Sequence, residues 1–382
     1  MKIFTKIFIF LNLLLFSINS MTFPLIYGRV NISGNYNDLE TIYDLEGLNE
    51  TSIKTDNSDL VSNASRFGIY GEIPTNQNFV GIYQVEYEAI SFEEDPSVAS
   101  LSVYQEKTFK QRNTFIGMKG NFGTIRIGTY DTPLKLAQLD ADLFNDLIGD
   151  IKTISAGENR NKSSIGYDSP QLAEGLTLHL SLSKEGYSYS SNVVDGNVVY
   201  ILQMTPLGVA GYYDGGLPLN IGQRNIGTGK SLSLKYDHEK IKLAVASERG
   251  SISGFNHNRL GMMIPSGPVT IGLIYTTSKT HNYDFYVNAF DYDAITISLK
   301  GNLPDNKGQL KFQYSDSKAY KKLNRIQFGY DYKFSKNFKV FAFYTKNIKE
   351  EEDGNPVVAI NSFESTYYGI GLEYRFSYLF GK

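Results

Sequence analysis

The stretch RNTFIGMKGNFGTIRIGTYDTPLK, residues 112–135, contains two segments of alternating polar and apolar residues joined by a short turn. Alternation with a period of two is typical of a β-strand that has one apolar and one wet face. The alternation stops at Thr132, and about thirty residues without a strand period follow, TPLKLAQLDADLFNDLIGDIKTISAGENR. A connection of this length inside a compact domain is usually functional.

The composition favours a chain made of many strands and excludes several kinds of site. The 382 residues include 28 Tyr, 24 Phe and 35 Gly, which are typical of strands and tight turns. Cysteine is absent, which excludes disulfides, thiolate metal sites and cysteine nucleophiles. A formal net charge of −3 does not indicate a nucleic-acid partner.

The first twenty residues have the pattern of a secretory signal peptide. MKIFTK is a basic n-region, and IFIFLNLLLFSI is an apolar h-region that is short for a transmembrane helix. Cleavage is expected near Ser20, and an uncleaved anchor is the alternative. We therefore predict a signal peptide over residues 1–20 and a single β-barrel domain over residues 21–382.

The alternation of residues 112–135 recurs along the chain in segments of about ten residues. Clear examples are GLTLHLSLS (175–183), KSLSLKYD (230–237), IKLAVASE (241–248) and NRIQFGYDYKF (324–334). Short spacers at 121–123, 237–240 and 335–337 suit hairpin turns, whereas long polar spacers occur at 37–63, 91–110, 186–196 and 348–365. Short turns that alternate with long loops are typical of an outer-membrane barrel.

A soluble β-sandwich also alternates, so the two folds have to be distinguished. Strands near ten residues have the length that a tilted strand needs to cross a bilayer. Charged side chains near mid-strand require a wet face, and backbone groups in lipid require a closed sheet. Apolar faces end in an aromatic residue at Tyr87, Tyr236, Tyr275, Tyr314, Tyr344 and Phe376, as an interfacial girdle requires. These features predict an all-β transmembrane antiparallel β-barrel around an aqueous lumen.

Several segments resemble the general, trimeric porins of Gram-negative bacteria. SRFGIYGE (65–72) and IYQVEYE (82–88) resemble the second and third strands of that family. Residues 112–135 resemble its fourth and fifth strands and the start of its third loop. SIGYDSP (164–170) resembles its sixth strand, with Gly166 where Arg or Lys is more usual, and FGYDYKFSK (328–336) matches further on.

The resemblance implies a barrel of sixteen strands whose third loop folds into the lumen. It also implies a homotrimer in outer-membrane lipid and lipopolysaccharide that passes small hydrophilic solutes without a cofactor. Two features depart from the family. About eighteen strand-like segments can be counted, so eighteen strands is an alternative, and Phe376 is followed by SYLFGK where the family usually ends on an aromatic residue.

In porins of this kind, acidic residues of the third loop face a basic cluster on the wall, and the lining charge governs selectivity. Side-chain parity assigns an arginine set to the lumen, and the loop carries an aspartate set. The predicted constriction residues are Asp140, Asp142, Asp146 and Asp150 on the loop and Arg29, Arg66, Arg126 and Arg325 on the wall. Arg112 has the parity of the lipid face, so it reaches the lumen only at a bulge or a strand end.

Other functions have weaker support in the sequence. DADLFND lacks the Gly at the sixth position and an oxygen ligand at the fifth that an EF-hand loop needs, so we predict no metal site. An ion bound between neighbouring acidic loops is the alternative. His179 on a lumen face suits a barrel lipase, but no serine partner can be identified. We predict a diffusion channel without enzymatic activity, and a substrate-selective channel or a surface adhesin of the same architecture is the alternative.

Overall fold

The computed structural model describes residues 24–43, 51–75, 77–89, 109–184, 189–194, 197–202, 225–250, 255–280, 292–318, 321–351 and 362–379. The predicted signal peptide, residues 1–20, lies outside this range. The first ten strands are β1 (Leu25–Tyr43), β2 (Thr51–Ser62), β3 (Arg66–Pro74), β4 (Phe79–Ala89), β5 (Phe109–Gly120), β6 (Gly123–Asp131), β7 (Arg160–Asp168), β8 (Leu176–Ser183), β9 (Tyr189–Val194) and β10 (Asn197–Leu202). The others are β11 (Gly229–His238), β12 (Ile241–Arg249), β13 (Phe255–Ser266), β14 (Val269–Thr280), β15 (Tyr292–Asn302), β16 (Gly308–Lys318), β17 (Lys321–Lys333), β18 (Phe338–Glu351) and β19 (Ser362–Leu379).

The strands form a closed ring of antiparallel pairs. Pairing runs in chain order from β3 to β8, passes from β8 to β11, and continues in order to β19. β19 pairs with β1 over residues 25–42, and β1 pairs in turn with β2 and β3. Closure supplies hydrogen-bond partners to the backbone, which a lipid environment does not. The predicted antiparallel barrel is confirmed.

The ring has sixteen positions. Seventeen strands belong to its sheet, but β2 and β3 lie end to end beside β1, on residues 32–43 and 25–29 respectively. Counting β2 and β3 as one position gives 17 − 1 = 16. The alternative of eighteen strands is wrong, because among the strands that the structure describes β9 and β10 pair only with each other, outside the ring.

The break between β2 and β3 has a local cause. Ala64 has φ 51°, a left-handed conformation that interrupts an extended strand. The break is held against β1, because Asn63 donates its backbone N–H to the Asn31 carbonyl at 2.8 Å. The Ser65 hydroxyl lies 3.0 Å from the Asn31 nitrogen, from which it accepts a hydrogen bond.

The outer face of the barrel is apolar and carries a row of aromatic rings. Ile116 and Ile370 are 66% and 65% exposed, which fits side chains that face lipid. Five rings on five neighbouring positions touch in order, with centroids 5.2 to 6.4 Å apart: Phe312, Phe328, Tyr344, Tyr368 and Tyr36. Each contact joins directly opposed residues of two strands, and the last one spans the closure between β19 and β1.

Some predicted loops are shorter than expected. The spacer predicted over residues 37–63 is mostly strand, because β1 extends to Tyr43 and β2 starts at Thr51. Its side chains are polar on both faces, so the period-two signal was lost although the backbone pairs regularly. At the C terminus β19 extends to Leu379, so the last strand runs past Phe376. Phe380 lies outside the described residues. Of the helices that the structure describes, none is long and apolar enough to span a membrane.

Candidate functional site in the barrel lumen

The third loop, residues 132–159, leaves the wall where the strand pattern ends. β6 stops at Asp131, and the short helix α1 (Pro133–Leu136) begins at once. Thr132 caps α1 by accepting a hydrogen bond from the Lys135 backbone N–H at 3.2 Å, and Pro133 occupies the first turn, where no N–H is needed. The end of the strand pattern at Thr132, read from the sequence, is confirmed. A second short element, the 3₁₀ helix η1 (Ile151–Thr153), lies on the return path.

Apolar side chains hold the loop against the inside of the barrel. Phe144 and Leu147 pack on Phe341 and Phe343 of β18, with Leu143 at the side. Leu134 and Ala137 pack on Ala244 and Ala246 of β12, and Ala141 and Ile151 pack on Met263 and Ile274 of the next two strands. The loop therefore follows the inner wall from β12 to β18.

Glycines in the wall allow this close approach. A β-carbon at Gly261 of β13 would lie 1.9 Å from the carbonyl oxygen of Ala137, a backbone atom of the loop. One at Gly272 of β14 would lie 2.9 Å from the Ala141 β-carbon, and one at Gly329 of β17 would lie 3.0 Å from the Phe144 ring. Any larger residue at Gly261 would force the loop or the strand to move.

Two of the predicted aspartates are buried in the contact between loop and wall. Asp142 accepts hydrogen bonds from the backbone N–H groups of Phe144 and Ile151, at 3.1 and 3.2 Å, and from Gln313 of β16 at 3.1 Å. Asp150 accepts from the Asp146 backbone N–H at 2.9 Å. Burial and the nearby charge of Asp150 raise the pKa of the Asp142 carboxyl to about 7. These two carboxyl groups therefore fix the loop conformation.

Arg259 of β13 joins the two ends of the loop. Its fully buried side chain donates to the Ala156 carbonyl at 2.5 Å and to the Leu134 carbonyl at 3.4 Å. It also forms an ion pair with Glu158 at 2.6 Å. Leu134 lies at the start of the loop and Ala156 and Glu158 at its end, so one side chain ties both ends to the wall.

Asp146, at the far end of the loop, meets the arginines of the wall. Its carboxylate lies 2.5 Å from the Arg29 guanidinium and 3.2 Å from that of Arg66. Burial alone would raise the pKa of the Asp146 carboxyl, but the charges of Arg29 and Arg66 outweigh burial and hold this pKa below its usual value. Arg29 also donates to the Asn63 carbonyl at 2.8 Å, so the break between β2 and β3 helps to aim it.

Arg112 belongs to the same group because of a bulge. The β4–β5 register shifts between Val85 and Tyr87, which turns Arg112 to the inner face. Its guanidinium lies 3.1 Å from Glu86 and 2.8 Å from Glu88. The condition that the sequence set for Arg112 to reach the lumen is met.

The remaining predicted residues lie elsewhere. Arg325 of β17 is buried beneath the loop and donates to the carbonyls of Gly149 and Asp150, at 3.2 and 3.1 Å. Asp140 is an exposed loop residue. Arg126 of β6 pairs with Asp168 of β7 and lies 5.1 Å from the centre of the Tyr130 ring.

Tyr130 also accounts for a departure from the family pattern. A β-carbon at Gly166 would lie 2.4 Å from the Tyr130 hydroxyl, so the ring occupies the space over this glycine.

Sequence reasoning did not single out Arg259, Glu158 or Gln313. Arg259 shares its lumen parity with Gly261, and this alternation is the signal by which it could have been found. The partners of Glu158 and Gln313 are set by the path of the loop, which has no periodic signal. Within the described residues, no group of three or more metal-ligating side chains is arranged to hold an ion.

The comparisons with known proteins agree with this geometry. A Gram-negative porin family model matches residues 24–354. The major outer membrane protein P.IB of Neisseria meningitidis serogroup A is 24% identical over 323 residues, covering 83% of this chain and 84% of that protein. The anion-selective porin from Comamonas acidovorans has a TM-score of 0.65 at 15% identity, covering 92% of this chain and 99% of that one. OmpF of Salmonella typhi in complex with daunomycin has a TM-score of 0.57 at 14% identity, covering 93% and 98%.

The family match covers most of the chain, and the fold has the features that the family requires. A closed ring of sixteen positions is wide enough for an aqueous lumen. Its outer face is apolar, its inner face is charged, and a loop from the wall folds inside. The chain belongs to the Gram-negative porin family and forms a channel in the bacterial outer membrane for the passive diffusion of small hydrophilic solutes.

Proposed function

We propose that the third loop sets the narrowest section of the channel, between Asp146 and the wall arginines Arg29, Arg66 and Arg112. The observation that carries this proposal is the position of Asp146, whose carboxylate lies between Arg29 and Arg66. Selectivity in a channel follows from pore diameter and the charge that lines it. Asp142, Asp150 and Arg325 have a different role in this proposal, which is to hold the loop in place.

The charges of this section nearly cancel, so we propose a weak ion preference. Three guanidinium groups, of Arg29, Arg66 and Arg112, are paired with four carboxylates, of Asp146, Glu86, Glu88 and Glu373. An arginine stays charged at any working pH, so the balance depends on the carboxylates. The porin from Comamonas acidovorans is described as anion-selective. By charge balance this chain is a general pore that discriminates by size more than by charge.

We propose that the chain works as a homotrimer in outer-membrane lipid and lipopolysaccharide, after residues 1–20 have directed its export. Support for self-association comes from a similar fold, OmpT of Vibrio cholerae, which is described in a trimer form. A migration shift of the detergent-extracted protein on heating tests the barrel. A mass of three copies before heating tests the trimer, and a mass of one copy would contradict it.

We propose conduction without catalysis, and planar-bilayer recording separates this function from its alternatives. A general pore gives a step conductance that rises linearly with salt, whereas saturation by one solute would indicate a substrate-selective channel. The absence of steps would leave a surface adhesin. Deletion of residues 137–149 should raise the step conductance, because the segment that narrows the lumen is lost. An unchanged conductance would place this segment outside the ion path.

A further inference from the structure

A second charged group in the lumen lies away from the third loop. Arg126, Asp168 and His179, which we name the lower cluster, belong to three neighbouring strands, β6, β7 and β8. Asp168 is the last residue of β7, and His179 opposes it directly across the β7–β8 pair. The short connections Asn121-Phe122 and 169–175 lie at this end of the strands, whereas the third loop leaves β6 at the other end. In outer-membrane barrels the short turns are periplasmic.

One carboxylate serves two basic groups in the lower cluster. Asp168 pairs with the Arg126 guanidinium through one oxygen. Its other oxygen lies 2.8 Å from the Nδ1 atom of His179. Arg126 is held further by the rings of Tyr130 and Phe115, at 5.1 and 5.6 Å from its guanidinium carbon. The side chains of Arg126, Asp168 and His179 are each about one-fifth to one-quarter exposed, so water and ions reach the cluster.

The site can hold His179 in either protonation state without moving a heavy atom. The Nε2 atom of His179 lies 3.1 Å from the Thr177 hydroxyl, and a hydroxyl both donates and accepts. With neutral imidazole, Nδ1–H donates to Asp168 and Nε2 accepts from Thr177. With imidazolium, both nitrogens donate, and the Thr177 hydroxyl turns to accept. Proton binding therefore changes charge and leaves the geometry intact.

The surrounding charges do not cancel this change. On β11, Ser233 faces His179 and Lys235 faces Thr177. Lys235 and Lys242 are both paired with Asp237, at 3.4 and 3.2 Å. With neutral His179 the lower cluster has one positive and one negative charge. With protonated His179 it has a net charge of +1.

We propose that the lower cluster is a second charge-selective station on the periplasmic side of the constriction, and that protonation of His179 changes its net charge from zero to +1. This inference rests on the proposed diffusion function and adds a determinant of ion preference to it. Histidine is the side chain that changes charge between about pH 5 and 8. Acidification over this range should therefore raise the preference of the channel for anions.

The test is the reversal potential of reconstituted channels under a salt gradient at pH 8 and pH 5, for wild type and His179→Gln. The wild-type anion-to-cation permeability ratio should rise about twofold more than that of the variant, the size expected for one unit charge beside the ion path in water. Both proteins keep Asp142, so its contribution to the pH response is common to both. A response of equal size in wild type and His179→Gln would overturn the proposal.

His238 provides a matched control. It stacks on Tyr236, on the face of β11 that points away from His179. His238→Gln should keep the full wild-type pH response. Loss of the response in this variant would show that His238, and not His179, causes it. Asp168→Asn should raise the permeability ratio for anions already at pH 8, because one negative charge is removed. A channel that conducts with pH-independent selectivity would contradict only the proposed role of the lower cluster. The absence of conductance would contradict the diffusion function.

Discussion

The carboxylate of Asp146 on the third loop lies 2.5 Å from the guanidinium of Arg29 on β1, the strand that closes the barrel. The loop begins at the end of β6 and packs on strands from β12 to β18, so this ion pair joins its far end to the part of the wall that it does not otherwise cover. Three fixed points therefore hold the loop: Arg259 at its ends, Asp142 along its length and Asp146 at its tip.

Removing wall arginines should make the channel prefer cations. In the double variant Arg29→Ala/Arg66→Ala, two positive charges are lost while Glu86 and Asp146 remain. We expect the cation-to-anion permeability ratio to rise roughly fourfold, about twofold for each unit charge near the ion path. Reversal potential under a salt gradient measures this ratio.

A second variant should shift the reversal potential in the opposite direction, and a third serves as a control. Asp146→Asn should move the reversal potential the other way, because it leaves Arg29 and Arg66 without their loop carboxylate. Arg249→Ala removes one positive charge from an exposed position on β12 and should leave the potential unchanged. A shift in Arg249→Ala half as large as that of the double variant would mean that total charge, and not the constriction, governs selectivity.

The sequence was informative where the signal is local. Alternation assigned Arg29, Arg66 and Arg325 to the inner face, because successive side chains of a strand point to opposite sides. It could not tell which arginine meets which aspartate, since Asp146 reaches Arg29 across 117 residues of chain. A one-residue bulge in β5 reverses the parity of Arg112, and no residue type in the segment marks that bulge.

Gly261→Val should displace the third loop. Its β-carbon would lie 1.9 Å from the Ala137 carbonyl oxygen, and a backbone atom cannot move aside as a flexible side chain can. We expect a step conductance that is higher or fluctuates between levels, since the loop can no longer pack closely against β13. Gly301→Val is the control, because a β-carbon there meets no atom within 4 Å. Identical steps in wild type and Gly261→Val would show that the loop tolerates the added side chain.

The packing of the third loop against the barrel wall should become less stable as the pH rises towards neutral. The pKa of Asp142 is raised to about 7 in the folded protein, above the value of about 3.9 for an aspartate in an unfolded chain. Asp142 therefore binds a proton more tightly when the loop is packed on the wall than when the loop is detached. The stability of the packed loop falls as the pH rises from about 4 to about 7. Hydrogen exchange of residues 143–152, expressed as protection factors at pH 5 and pH 8, should show greater protection at pH 5.

Two variants test the cause of this pH dependence. Asp150→Asn removes the neighbouring charge that helps to raise the pKa of Asp142, so the loss of protection should shift to lower pH. Asp142→Asn has no ionisable group at this position, so protection should no longer differ between pH 5 and pH 8. A wild-type pH response in Asp142→Asn would show that another group is responsible.

Breaking the buried pair between Arg259 and Glu158 should destabilise the barrel more than removing both charges. Arg259→Met keeps most of the side-chain volume but leaves the Glu158 carboxylate without its partner, which costs about 3–5 kcal/mol for a buried pair. Burial already raises the pKa of Glu158 despite the nearby Arg259, and this pKa should rise further in the variant. The destabilisation should therefore be small at low pH and grow as the pH rises through that pKa.

The midpoint temperature of the heat-induced migration shift measures this destabilisation. The double variant Arg259→Met/Glu158→Gln should recover much of the lost stability at pH 8. If the double variant is as unstable as Arg259→Met, the lost stability comes from the hydrogen bonds that Arg259 donates to the Leu134 and Ala156 carbonyls. Arg249→Met, at an exposed site, controls for the change of residue type.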